Sequence, residues 1–155
     1  MHEDTITPFE IGINFATTCA CFNLRKAARA VTSLYDGVLQ PTGLRSTQAT
    51  LLMAIASAGT ATISQLAEVL VMDRTTLARN LKLLEARRLI SIKPGQDQRT
   101  RVVHVTELGR QALLRALPLW EQAQRQVTAA LGARQLDQLF GSLDALEDLS
   151  QTPSA

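Results

Sequence analysis

Eight Lys and Arg residues crowd positions 74–101: Arg74, Arg79, Lys82, Arg87, Arg88, Lys93, Arg99 and Arg101. They are half of the chain's 16 basic residues, and only Glu85 and Asp97 oppose them, so the segment carries +6. The whole chain is +2, which leaves −4 for everything else. A basic patch on an otherwise mildly acidic protein is the electrostatic footprint of a polyanion, and duplex DNA is the commonest one. Charge alone leaves a solvated basic face without a partner as an equal reading. The residue types between the charges favour DNA. Arg grips guanine bidentately, Asn grips adenine, and Thr meets a phosphate or a thymine methyl. Arg74, Thr75, Thr76, Arg79, Asn80 and Lys82 offer all three within nine residues. Lys93, Arg99 and Arg101 follow around a turn, where Arg99 suits a narrow minor groove.

Cys19-Ala20-Cys21 is the second group with chemistry. Thiolates bind soft metals and metalloids and react with oxidants. On a regular helix, positions two apart point about 200° apart. A disulfide or chelate within the pair is therefore strained unless the helix start is unwound. The competing reading makes both cysteines small buried apolar residues. His2 and His104 have no neighbour at metal-ligand spacing and read as structural or solvent-facing. No Gly-rich phosphate loop, nucleophile–base motif or catalytic carboxylate pair appears, so an enzyme finds no support and no cofactor is required.

The elements that must position these groups follow from periodicity. Residues 1–12 read as a loose arm, and apolar spacing is helical from Asn14 to Leu39 through Cys21, Leu24, Ala28, Val31, Tyr35 and Val38. Pro41 and Gly43 end that helix; Ser46 or Thr47 caps the next, which stops at Gly59. Thr60–Ile63 is a short extended piece, and Ser64 caps a short helix, Gln65–Leu70. After a turn at Val71-Met72, Asp73 caps a helix from Arg74 to Arg87 with Leu77, Leu81 and Leu84 inward. Leu89–Lys93 and Arg101–Val105 alternate as two strands of a hairpin across Pro94–Gln98. Thr106 caps a helix over Glu107–Leu131 that Pro118 is expected to kink. A last helix covers Gln135–Leu149, and Gln151–Ala155 is a frayed tail. Trp120 and Phe140 are expected in the core.

The composition agrees. Hydrophobic content of 46% and charged content of 19% suit a soluble globular chain, and 4% aromatics favour helices. There is no apolar run of bilayer length and no secretory h-region, so a cytoplasmic protein with reduced thiols is expected. The fold class is mainly α with a small β-hairpin wing: a winged helix-turn-helix at 41–106, between a helical region at 1–40 and another at 107–155.

At these residues the chain resembles the MarR family of bacterial transcriptional regulators. The resemblance rests on Gln65-Leu66-Ala67-Glu68, Asp73-Arg74-Thr75-Thr76-Leu77 with Arg79-Asn80-Leu81, Leu84-Glu85, Asp97-x-Arg99 and Val105-Thr106-x-x-Gly109. It implies a homodimer built from the N-terminal helix and the two C-terminal helices, reading a pseudo-palindromic operator as an effector-released repressor. It also implies that Arg99 enters the minor groove while Asp97 orients wing arginines through an ion pair. The chain departs from the family at Arg88, where Gly is usual. A non-Gly residue in a left-handed cap costs roughly 1 kcal/mol. In such a dimer the helix bearing Cys19 and Cys21 lies at the interface, where thiols of two subunits can converge on a soft metalloid or metal. The alternative effector is a small organic ligand, a phenolic or aromatic acid, in an apolar cleft between the first, second and fifth helices, with Tyr35, Arg29 and Met53 as candidate lining. A helical dimer that binds another protein is the reading without DNA.

Overall fold

The computed structural model describes residues 12, 15–97 and 99–150. Residues 1–11 of the expected N-terminal arm, with His2, the start of the first helix at Asn14, Gln98 and the C-terminal tail lie outside the described residues. Six α-helices are described as separate elements: α1 Ala20–Leu39, α2 Ser46–Ala58, α3 Ile63–Val69, α4 Arg74–Ala86, α5 Glu107–Leu131 and α6 Ala133–Glu147. Three strands join them: β1 Ala61–Thr62, β2 Ile90–Pro94 and β3 Arg101–Val105. The sheet is antiparallel in the order β1-β3-β2, with Ala61 opposite Val103 and Ile92 opposite the same residue on the other side.

Local chemistry sets most boundaries. The Thr62 side chain accepts the Gln65 N–H at 3.2 Å while the Gln65 side chain accepts the Thr62 N–H at 2.9 Å. This reciprocal cap starts α3 two residues before the expected position. Asp73 accepts from the Thr76 N–H at 2.8 Å and caps α4. α2 begins at Ser46 behind Arg45, and its first N–H is taken by Asp36 of α1 at 2.6 Å. α5 runs through Pro118 as one helix. α1 differs from expectation: residues 15–18 are helical, Cys19 is extended at φ −73° and ψ 108°, and α1 restarts at Ala20.

The core sits where α2, α3, α4 and α5 meet the sheet. Leu39, Leu52, Ile55, Leu77, Leu81, Leu84 and Val103 are fully buried there. Each such side chain contributes about 1.5–3 kcal/mol of apolar burial. The periodic faces of α1 and α6 are not part of it. Leu24, Val31, Leu139, Phe140 and Leu146 are exposed, and Leu136 alone is buried among the residues of α6. Phe140, expected in the core, is 48% exposed. Cys21 is exposed and Cys19 half-buried, so neither is a buried core residue of the single chain.

Candidate nucleic-acid interface

The apolar period of α4 decides which side chains can reach a ligand. Leu77, Leu81 and Leu84 face the core, so Thr75, Arg79 and Lys82, offset by two positions, point the opposite way. All three are exposed, as is Arg74 in the first turn. Hydrogen bonds to Asp73 from the Thr76 side chain and backbone, with the Arg79 charge adding to them, hold its carboxyl below the ordinary carboxylate pKa. The cap is therefore anionic near neutral pH, and it fixes the end of the helix that carries Arg74 and Thr75.

Thr76 and Asn80 lie on the flank of α4. Asn80 is half-buried, and its amide donates to the Thr76 carbonyl oxygen at 3.0 Å. It edges a 350 Å³ cavity that Tyr35 of α1 and Leu51 of α2 also line. The free chain thus turns Asn80 toward the helical region, unlike Arg79. Helical spacing leaves a flank position open to either side; here Asn80 edges the cavity that α1 and α2 also line.

The wing projects from the sheet beside α4. Lys93 and Arg101 are exposed at its outer end, where Pro94 pairs with Arg101. Arg99 is exposed at the tip. The tip is built from backbone bonds: Gly95 N–H donates to the Thr100 carbonyl at 3.0 Å, and Thr100 N–H and its hydroxyl donate to the Asp97 carbonyl at 2.9 and 2.8 Å. A side chain at Gly95 would collide with the Thr100 hydroxyl. The Asp97 carboxylate accepts the Arg99 N–H at 3.1 Å. Among the described residues Asp97 makes no ion pair with a wing arginine; it holds Arg99 through the main chain, because an Asx turn is a shorter reach than a solvated guanidinium.

Two of the eight basic residues have structural placements. Arg87 donates to the Gly43 carbonyl at 2.9 Å and to the Gln48 side chain at 3.1 Å, tying the end of α4 to the start of α2. Composition counted its charge, but only the tertiary contact shows its use. Arg88 sits at φ 57°, as its place after α4 implies. The flanking N–H groups of Arg88 and Leu89 return to the Glu85 and Leu84 carbonyls at 2.8 and 3.0 Å, which closes the helix end. Arg74, Thr75, Arg79, Lys82, Lys93, Arg99 and Arg101 remain exposed along helix and wing.

Elsewhere, among the described residues, no three His, Cys, Asp or Glu gather as a metal site, and no helix is long and apolar enough to cross a membrane. Cys19 accepts the Phe22 N–H on its Sγ at 3.5 Å, and the Phe15 ring lies tilted against Phe22, 5.2 Å between ring centroids. Tyr35, Arg29 and Met53 do not share one cleft. Arg29 lines an open cavity of mixed polarity with Asp36 and Arg45; Met53 lines an apolar one between α2 and α5 with Leu113, Leu117 and Trp120. Tyr35 donates to Gln124 of α5 at 2.5 Å, and burial pushes its hydroxyl pKa up.

The helix-plus-wing arrangement has known relatives. The MarR family model matches residues 42–100, which span α2 to the wing tip. The transcriptional regulator MosR of M. tuberculosis, in a crystal structure with DNA, is 35% identical over 86% of this chain and 96% of its own, with a TM-score of 0.79. A probable transcriptional regulator from Pseudomonas aeruginosa is 27% identical over 83% of this chain and 97% of its own, with a TM-score of 0.76. A mutant MarR from E. coli complexed with operator DNA has a TM-score of 0.77 over 85% of this chain and 96% of its own; at 22% identity it speaks for the fold. Comparison with curated proteins gives no match. With a family-model match across its winged domain and a relative of this identity along nearly its whole length, the chain belongs to the MarR family of transcriptional regulators.

Proposed function

We propose that the protein is a homodimeric, sequence-specific DNA-binding repressor that thiol chemistry at Cys19 and Cys21 releases from a pseudo-palindromic operator. The exposed cationic row on α4 and the wing carries the DNA reading: Arg74, Arg79 and Lys82 on one element, Lys93, Arg99 and Arg101 on the other. A helix of this width fits the major groove, and a hairpin tip reaches the adjacent minor groove. The DNA bound by the MosR and MarR crystals supports the same assignment.

The dimer is supported by what one chain leaves bare. A helix is held mainly by packing of its apolar face, and α6 buries Leu136 alone. Its Leu139, Phe140 and Leu146 join Leu24 and Val31 of α1 around a 570 Å³ apolar groove. A second copy offers the same ridges and covers both grooves by two-fold symmetry. Two recognition helices so related read half-sites about one helical turn, roughly 10 bp, apart.

The break at Cys19 supports the thiol reading. Extended backbone at Cys19 weakens the regular-helix objection to joining Cys19 and Cys21 within one chain. A soft metalloid such as arsenite, As(OH)3, would exchange its hydroxyls for these two thiols and a thiol of the second copy, each hydroxyl leaving as water with a thiol proton. A hydroperoxide would take two electrons and two protons from the pair, leaving as alcohol and water. An organic effector is the second reading, favoured by the 320 Å³ apolar cavity that Met53, Trp120 and Arg110 line.

A gel shift with the DNA upstream of its own reading frame, titrated with salt, tests the core of the reading. Affinity should fall steeply as salt rises. Binding indifferent to salt, or none, refutes it. Arsenite, a hydroperoxide and a phenolic acid added to the complex then separate the effectors by which of them releases DNA.

A further inference from the structure

Val71 is the one described β-branched residue with left-handed backbone, at φ 47°. Left-handed backbone crowds Cβ against the chain, and a branched Cβ is among the worst choices for it. The position demands that conformation. The Val71 N–H donates to the Glu68 carbonyl at 3.1 Å and the Met72 N–H to the Ala67 carbonyl at 2.9 Å, which closes α3 and aims the chain into α4. Glycine would meet the demand without strain. Valine is also 52% exposed here, so in the single chain its apolar body is not compensated by burial. Its side chain nevertheless lines the apolar groove between α1 and α6, with Val31 and Tyr35 on one wall and Leu139 and Phe140 on the other.

We propose that Val71 is a positioning residue that couples subunit packing to the recognition helix: the second copy that fills the groove also seats Val71, and the seated turn sets α4 for DNA. The inference rests on the dimer proposed above. Strain at one residue persists where surroundings over-determine it; the bonds that close α3 fix the backbone here, and the groove's occupant would bury the side chain that the turn leaves exposed. Continuity of the groove from α6 across α1 to the turn argues for that occupant, because Val71 lies on the same apolar surface whose other ridges need covering. Any effector that shifts the two copies would then act on the turn between α3 and α4 without touching DNA.

The test uses the full chain with Val71→Gly, Val71→Asn and Val71→Ile. The wild type is first weighed by sedimentation at micromolar concentration; a monomer there overturns the dimer and this inference together, before any variant is read. With a dimer in hand, a turn that merely needs left-handed backbone predicts that glycine binds operator as well as valine or better. Seating predicts the opposite. Val71→Gly and Val71→Asn should raise the dimer dissociation constant at least about tenfold, the factor that loss of one buried valine side chain is worth. Their operator affinity should stay about tenfold weaker at concentrations that keep them dimeric, with helical circular dichroism unchanged, while Val71→Ile stays within about twofold of wild type. Wild-type operator affinity in Val71→Gly overturns the proposal. So does a loss that disappears once the variant is fully dimeric, since Val71 would then be an interface residue without influence on α4.

Discussion

The Thr106 hydroxyl donates to the Arg88 carbonyl oxygen at 2.7 Å and accepts the Gly109 N–H at 3.0 Å. One oxygen therefore ties the left-handed Arg88 after α4 to the first turn of α5. The Thr106 N–H adds a bond to the Leu89 carbonyl at 3.0 Å. Gly109 lets the two segments approach this closely, because a side chain there would collide with that same Leu89 carbonyl. The wing and α4 are thus fastened to the start of α5.

Thr106→Val removes the hydroxyl and keeps the shape. It should cost about 1–2 kcal/mol, the range for losing an N-cap and its hydrogen bond. Urea unfolding monitored by circular dichroism measures it. A variant as stable as wild type would show that the oxygen fastens nothing.

Arg79 and Asn80 are neighbours in sequence with different surroundings. Arg79→Ala should lose base preference worth roughly 1–3 kcal/mol, seen as a smaller gap between operator and scrambled DNA. Asn80→Ala should narrow that gap less, since one N–H of its amide is held by the Thr76 carbonyl oxygen and its side chain edges the cavity beside Tyr35. Arg99→Ala should weaken binding at all sites, most where the minor groove is narrow. If Asn80→Ala narrows the gap as much as Arg79→Ala does, the side chain must swing out on DNA.

Asp36 and Asp73 make stability depend on acid. Burial pushes the Asp36 carboxyl up, but bonds from the Ser46 backbone and side chain and from Arg45, with the Arg45 charge, outweigh it and hold the pKa below 3.8. Asp73 is lowered too. A carboxylate depressed on folding adds stability that is fully present above its unfolded value, and that stability is lost as pH falls through the folded value. Unfolding free energy should therefore drop below about pH 4. Asp36→Asn should flatten that drop in urea melts between pH 6 and 3. An unchanged acid limb would mean that other carboxyls set it.

What sequence made legible was local. Leu77, Leu81 and Leu84, the caps at Asp73 and Thr106, and the left-handed Arg88 follow from spacing and from residues a few positions away. What it hid depends on distant partners. β1 gains its identity by pairing with β3 some forty residues on, and Arg87 becomes a clamp only when Gly43 arrives beside it. The period of α1 marked an apolar face correctly, yet that face stays exposed in one chain because periodicity does not say which body covers it.

Cys19 offers a substitution that separates its two roles. Its Sγ caps α1 by accepting the Phe22 N–H at 3.5 Å, and sulfur is a weak acceptor. Serine is among the preferred N-cap residues, and its shorter, stronger bond suits the same place. Cys19→Ser should therefore hold or raise stability, by up to about 1 kcal/mol, and bind operator as wild type does. It removes one thiol of the pair, so release by arsenite or a hydroperoxide should be lost or need far higher doses. Cys21→Ser removes the other thiol without touching the cap and should match it in release but not in stability. A Cys19→Ser protein that still lets go of DNA at the wild-type dose of the same thiol reagent would leave Cys19 as a cap alone. The organic-effector reading, with the cavity beside Met53 and Trp120, would then take its place.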